Sequence, residues 1–416
     1  MEFASILPAM QVLFLFLLLM VTAHAAAQTK SPSGTPWEMQ NSTSTASLRG
    51  IDSVDGTVAW ASGTEGTVLR TSDGGAHWRK CAVPDAEKDG ATLDLRGIQA
   101  WDMDTAVVMA SGPGDKSRLY ETVDGCKTWT LLLKNPDAPK GFFDSFQIFY
   151  KGFHNGDPTG YGLVLGDPVG GRFTLFEINI TPYSSMPVDS KDLIVPAKNS
   201  AAFSASNSVL VDLYKGTYGF ITGGPTAANL VRVRYGEGTW KEGGGNSKTL
   251  AKTVRLPLAT GTDSSGAFAI AKRILNGDSD SATVAEVTVG GDYAKPDDGA
   301  GSAAWSDDGG EHWTASTVMP HGYRSSVQWS DDLSAWVAVG ANGSDISHDD
   351  GKTWQALDNG NWNAVSLPFV VGSSGRIARL NPAKVPADRS HAVSAAVPAD
   401  STATEHAESE PALGRH

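Results

Sequence analysis

The sequence predicts an all-β chain, a seven-bladed β-propeller of four-stranded antiparallel blades whose N-terminal strand closes the last blade. Three observations lead there. One short pattern recurs four times, as Thr71-Ser-Asp73-Gly-Gly75-Ala-His77-Trp78, Thr122-Val-Asp124-Gly-Cys126-Lys-Thr128-Trp129, Ser306-Asp-Asp308-Gly-Gly310-Glu-His312-Trp313 and Ser347-His-Asp349-Asp-Gly351-Lys-Thr353-Trp354. Alternating apolar strands ending in glycine recur seven times, about every 50 residues. An inner-strand candidate precedes each of these seven.

The recurrent pattern reads as a tight turn between the two outer strands of a blade. Its Asp side chain accepts backbone N–H bonds, a Gly takes positive φ, and the Trp anchors the following strand. Asp73, Trp78, Asp124, Trp129, Asp308, Trp313, Asp349 and Trp354 are therefore assigned architectural roles. Cys126 stands where the other copies have Gly, which makes positive φ less comfortable, and His77 and His312 stand where Thr is commoner. One carboxylate per turn is too few for calcium, which takes six or more oxygens, so no metal is expected.

The glycine-terminated strands are Val58–Gly63, Ala106–Gly112, Tyr161–Gly166, Tyr218–Gly223, Ala285–Gly290, Trp336–Gly340 and Phe369–Gly372. Their inner-strand candidates are Leu48–Ile51, Leu95–Ile98, Phe143–Phe146, Ala201–Phe203, Gly266–Phe268, Tyr323–Val327 and Asn361–Val365. The seventh unit stops at Leu380 without a Trp-anchored strand, and Thr35–Met39 is expected to complete it, removing two exposed sheet edges. Stretches rich in Pro, Gly, Ser and Lys at 181–200 and 236–263 read as insertions replacing the outer turns of blades three and four.

Residues 1–27 read as a signal peptide: an apolar run from Val12 to Val21, too short to span a bilayer, ends in Ala23-His-Ala25-Ala-Ala27. Residues 28–382 are expected to form the propeller, and 383–416, rich in Ala, Ser, Pro and Glu without an aromatic residue, a disordered tail. The expectation is a secreted or periplasmic monomer with no membrane span after signal cleavage. With two cysteines the fold is no disulfide framework; Cys81 and Cys126, in or just after turns of consecutive blades, either pair or stand as independent small residues.

A formal net charge of −13 with few Lys/Arg runs weighs against nucleic acid and anionic membrane as partners. Without a strand-Gly-x-Gly-x-x-Gly-helix unit or a CxxC pair, no dinucleotide or redox cofactor is expected, and the scattered histidines make no metal set. Loops entering the innermost strands and loops joining second to third strands share one propeller face, the Asp turns the other. On the first face lie Arg49, Arg96, Asp144, Asp167, Arg172, Asp292, Tyr293, Lys295 and Arg324, the expected partner-binding set. Arg49, Arg96 and Arg324 form one arc, Asp144, Asp167 and Asp292 the opposite one. Arginine there suits a carboxylate or carbonyl partner through its planar fork.

The four turns match the Asp-box (BNR) repeat. With the blade count and signal peptide, the chain resembles the photosystem II stability/assembly factor family and its bacterial relatives, also through Gly112–Tyr120, Phe142-Phe-Asp144, Gly166–Phe173, Gly290–Pro296, Gly322–Ser325 and Gly343-Ser-Asp345. The resemblance spans Trp37 to Leu380 and implies a non-catalytic scaffold holding another protein during assembly. Ser200 departs from it where an acidic residue is common. The competing class is a glycoside hydrolase acting on a glycan, since Asp-boxes also occur in sialidases and glycanases. The Arg-Ile-Pro of sialidases is absent, leaving Asp144, Asp167 and Asp292 as candidate carboxyls for a glycanase.

Overall fold

A computed structural model describes residues 34–137, 140–154, 157–180, 183–187, 200–213, 217–234, 250–276 and 283–387. The signal-peptide reading and all but the first five residues of the tail lie outside them. Seven four-stranded antiparallel sheets make a seven-bladed propeller. Blade one is β2 (Leu48–Ser53), β3 (Ala59–Gly63), β4 (Val68–Thr71) and β5 (Arg79–Lys80). Blade two is β6 (Leu95–Ala100), β7 (Ala106–Ala110), β8 (Arg118–Thr122) and β9 (Thr130–Lys134). Blade three runs β10 (Phe143–His154), β11 (Asp157–Val169), β12 (Arg172–Ile180), β13 (Tyr183–Pro187), and blade four β14 (Leu210–Asp212), β15 (Thr217–Thr222), β16 (Ala228–Arg234), β17 (Leu250–Leu256). Blade five is β18 (Ser265–Asn276), β19 (Thr283–Asp292), β20 (Ala303–Ser306), β21 (Thr314–Ala315); blade six is β22 (Ser326–Ser330), β23 (Ala335–Gly340), β24 (Gly343–Ser347), β25 (Gln355–Asp358).

Blade seven has two origins. Its β26 (Ala364–Ser366), β27 (Phe369–Val371) and β28 (Ile377–Leu380) come from the end of the fold, and β1 (Trp37–Gln40) adds the outer strand by pairing with β28, Trp37 opposite Leu380 and Gln40 opposite Ile377. The clasp is the expected one, because an unpaired β28 would leave a row of N–H and C=O groups bare. All seven glycine-ended strands are second strands, buried because both faces meet neighbouring blades.

Two sequence readings need correction. Ala201–Phe203 is not the inner strand of blade four: Ala201 makes an isolated bridge with Gly223, and the continuous apolar run Val209-Leu210-Val211 supplies β14. The segments taken as insertions also carry strands, since β13 lies within 181–200 and β17 within 236–263. These outer strands lack the Trp and Asp-Gly turn that mark the others.

The four Asp-Gly turns share one hydrogen-bond set. In the first, Gly75 N–H donates to Thr71 Oγ1 (3.0 Å), His77 N–H to Asp73 Oδ1 (2.9 Å), and His77 Nδ1 lies 2.7 Å from Asp73 Oδ2. Thr128 and Thr353 reach Asp124 and Asp349 with their hydroxyls at 2.7 and 2.6 Å, and His312 reaches Asp308 at 2.6 Å, so histidine replaces threonine as the polar partner of the second oxygen. The indoles pack backward onto the preceding blade. Trp78 meets Phe369 of blade seven edge-on at 5.7 Å, Trp129 Nε1–H donates to Ala82 O, and Trp354 is buried with Val287 and Trp336.

Inner strands are stitched around the ring by a second repeated device. Asp52 accepts from Ala100 N–H (2.6 Å), Gln99 bonds both backbone groups of Ile148, Gln328 accepts from Leu367 N–H, and Ser366 accepts from Ser53 N–H, which joins blade seven to blade one. Each polar side chain stands in for a backbone partner where twisted inner strands diverge.

The two cysteines form a disulfide with Cα atoms 5.4 Å apart, tying the end of blade one to the Asp turn of blade two. Cys126 has φ +61°, matching the glycines at the same place in the other turns, Gly75 (+86°), Gly310 (+77°) and Gly351 (+81°). Among the described residues, no helix is long and apolar enough to cross a membrane.

Candidate functional site

One end of the central channel opens into a cavity of about 390 Å³. Part of its wall comes from one register position of the inner strands, two residues before Ile51, Ile98, Phe146, Val327 and Val365. Arg49, Arg96, Asp144, Ser325 and Asn363 all occupy it. Their side chains point toward the axis because strand alternation sends Leu48, Leu95, Phe143 and Trp362, one residue earlier, into the packing between blades.

This register explains where Arg324 goes. Its N–H donates to Gly290 O of the preceding blade, just as Leu48 N–H donates to Gly372 O and Trp362 N–H to Gly340 O. Arg324 therefore occupies the interblade position and Ser325 the channel position. A slip of one residue moves a side chain to the other face of a strand. The guanidinium, wholly buried, pairs with Asp345 and donates to Tyr323 O and Asn342 Oδ1. The Arg324 placement at the mouth is thus corrected: its side chain is locked inside blade six, its charge met by the buried carboxylate of that blade's third strand.

Asp292 also leaves the set. Its carboxylate accepts from Ser264 Oγ (2.6 Å) and the Ala294 N–H (3.0 Å), which holds it below the usual carboxylate pKa range, and with Lys295 it lines a separate cavity of about 340 Å³. Arg172 starts β12, exposed, and does not line the mouth cavity. Arg49, Arg96, Asp144, Asp167 and Tyr293 are brought together there.

The basic side is more neutral than its arginines suggest. Asp94 lies between them, accepting from Arg96 Nε at 2.8 Å and sitting 3.6 Å from Arg49 Nε, and Arg96 also donates to Ser204 Oγ (3.0 Å). On the acidic side, Asp144 is 1% exposed and its Oδ2 has no partner among the described residues. Burial, then the neighbouring Asp167, push its carboxyl well above the ordinary range, against the pull of Arg96. Burial raises Asp167 to about 6, opposed by a hydrogen bond from the Ala202 N–H, and its Oδ1 is likewise unpartnered.

The sequence reading found only Tyr293 of the third side of the cavity. Phe203 and Phe268 stack at 4.0 Å, and Tyr323 (4.8 Å) and Tyr293 (6.0 Å) meet Phe268 edge-on. Tyr293 is 53% exposed, a large ring held at the rim. The signal for Phe203 was its separation from the strand run at Val209; Phe268 was visible only as a strand residue.

These carboxyls set a pH dependence. Glu286, buried between blades four and five with Oε2 unpartnered among the described residues, is raised by burial to about 7. Carboxyls raised in the folded state bind a proton there that the unfolded chain has lost. Their contribution is present below pH ~4 and disappears as pH rises through 6–7, at ~3 kcal/mol for a shift like that of Glu286. Asp73, lowered to about 2 by the His77 N–H, and Asp124, lowered to about 2 by the Thr128 hydroxyl, act oppositely below pH ~4. Urea midpoints measured from pH 3 to 8 are expected to peak near pH 4–5 and fall toward 8; a midpoint that rises from 5 to 8 contradicts this assignment.

No family model matches the sequence, and no curated protein matches it. Among solved structures it is similar to YCF48 bound to D1 peptide (14% identity, TM-score 0.51, covering 84% of this chain and 98% of that one). It is also similar to YCF48 from Cyanidioschyzon merolae (18% identity, TM-score 0.46, covering 84% and 100%). A third is the extracellular domain of a hybrid two-component system from B. thetaiotaomicron (12% identity, TM-score 0.50, covering 83% of this chain and 42% of that one). At these identities the first and third show a shared propeller fold and nothing finer.

Proposed function

We propose that the protein is a non-catalytic propeller scaffold that binds a segment of another protein at the channel mouth. The observation that carries this is the convergence of Arg49, Arg96, a carboxyl pair and four aromatic rings on one cavity, a mixture of desolvated rings and directional polar groups typical of binding sites. The solved propeller described as bound to D1 peptide supports the reading by analogy of fold. A secreted or periplasmic location is part of the proposal, because a disulfide such as Cys81–Cys126 persists in an oxidising compartment.

A second reading, glycoside hydrolysis, rests on Asp144 and Asp167 lining the same cavity with raised pKa values. One experiment separates the two. In pull-downs from the native envelope, Arg49→Ala/Arg96→Ala is expected to lose a reproducible partner while Arg172→Ala, exposed and outside the mouth cavity, retains it. Partner capture indifferent to the mouth arginines rejects the scaffold site. Reducing-sugar release abolished by Asp144→Ala or Asp167→Ala establishes hydrolysis instead.

A further inference from the structure

We propose that the mouth cavity receives a single cationic side chain, lysine or arginine, from the bound segment, with its charged head on Asp144 and Asp167 and its aliphatic stem against Phe203, Phe268 and Tyr293. This rests on the mouth being the partner site and names the chemistry that enters it.

Three observations converge. Asp144 Oδ2 and Asp167 Oδ1 are both buried, Asp144 being only 1% exposed, and both lack a partner among the described residues, so two acceptor oxygens in one cavity stand without donors. A buried carboxyl without a donor is costly, and a group bringing several N–H donors and a positive charge offsets the most. The arginines already present do not meet this need: Arg96 is held by Asp94 and Ser204, and Arg49 lies beside the same Asp94.

The adjoining wall is aromatic. Phe203 and Phe268 stack at 4.0 Å, with Tyr293 edge-on to both at 6.4 and 6.0 Å. Rings suit the methylene stem of a lysine or arginine and the face of its cation. The volume, about 390 Å³, lies near the lower end of the ~300–1,000 Å³ range of ligand pockets, which fits one side chain rather than a stretch of chain. A formal charge of −13 on the whole chain steers cationic segments toward it.

The groups facing Asp144 are Asp167, Arg96 and, through Arg96, Asp94; Tyr293 and Tyr323 complete the cavity. Ionising Asp167, which titrates near 6, removes one unit of positive charge from the cavity. Cation binding must therefore strengthen as pH rises from 5 to 8.

The test uses the capped tripeptides acetyl-Ala-Xaa-Ala-amide, with Xaa as arginine, lysine, citrulline, norleucine or glutamate, titrated by calorimetry and NMR against the full-length protein. Arginine and lysine peptides are expected to bind about tenfold tighter than citrulline and norleucine, the worth of one charge-assisted hydrogen bond. Asp144→Asn/Asp167→Asn should erase the difference, and wild-type affinity for the arginine peptide should rise from pH 5 to 8, a readout that needs no substitution. Citrulline binding as well as arginine, a preference for glutamate, or a pH-independent affinity overturns the proposal. So does binding of neutral oligosaccharides with none of the cationic peptides, which assigns the cavity to a glycan. If the peptides fail while envelope capture still depends on Arg49 and Arg96, the cationic inference falls and the scaffold reading stands; if capture too ignores the mouth, both fall.

Discussion

Trp37→Ala is expected to destabilise the protein by about 3–5 kcal/mol, the range for removing a large buried aromatic side chain. Trp37 is 2% exposed, 6.1 Å from Trp362, and donates from Nε1 to Ser344 Oγ at 2.9 Å. The indole thus holds the clasp strand to its own blade's inner strand and to blade six. On the other side, Gln40 at the end of the same strand accepts from Trp78 Nε1–H and donates to Gly74 O, so the clasp reaches blade one as well. Losing Trp37 opens a cavity and loosens the strand whose absence bares two edges. Thermal and urea unfolding check the value, and Trp37→Phe, which keeps ring burial without the hydrogen bond, should recover more than half of the loss. A midpoint unchanged in Trp37→Ala removes the clasp from the account of ring closure.

Cys81→Ser is expected to cost about 4 kcal/mol, from the entropy of closing a loop with a sequence separation of 45. Cys126→Gly should cost about 1 kcal/mol less, although it loses the same bridge. Residue 126 sits at φ +61°, where an L side chain is disfavoured by roughly 1–2 kcal/mol and glycine is at ease, with the glycine's freedom in the unfolded chain offsetting part of the gain. The comparison isolates the two effects at one turn. Urea midpoints in the order wild type, Cys126→Gly, Cys81→Ser are the expected outcome, and dithiothreitol should bring the wild type to the level of Cys81→Ser. Equal midpoints for the two variants remove the backbone cost, and a Cys81→Ser protein as stable as the wild type removes the bridge as a stabiliser.

The residues that lead to a correct reading are those whose consequences are local. The glycine at the end of each second strand and the Asp-Gly turns act within a few residues, through period-two alternation and side-chain capping, and can be read one window at a time. Arg324 shows the limit. The string Tyr323-Arg324-Ser325 looks like Leu48-Arg49-Gly50, yet the bond from Arg324 N–H to Gly290 O shifts its register by one and buries the charge. Nothing within the string distinguishes the two, because the partner that sets the register lies in another blade. Blade four misled for a similar reason: Ala201-Ala-Phe203 is apolar and short enough for a strand, but Val209–Asp212 is where the sheet forms.

By itself, the sequence determined the fold class, the seven repeats and the strand that closes them, because each depends on hydrophobic periodicity and turn chemistry within one repeat. Only the tertiary structure decided which residues share the mouth. It set Asp94 between two arginines, brought together two carboxyls that each keep one oxygen without a donor among the described residues, raised an aromatic wall beside them, joined Cys81 to Cys126, and withdrew Arg324 and Asp292. These relations arise between blades far apart in sequence, where ring closure fixes distance and burial fixes charge, and no window along the chain contains both partners.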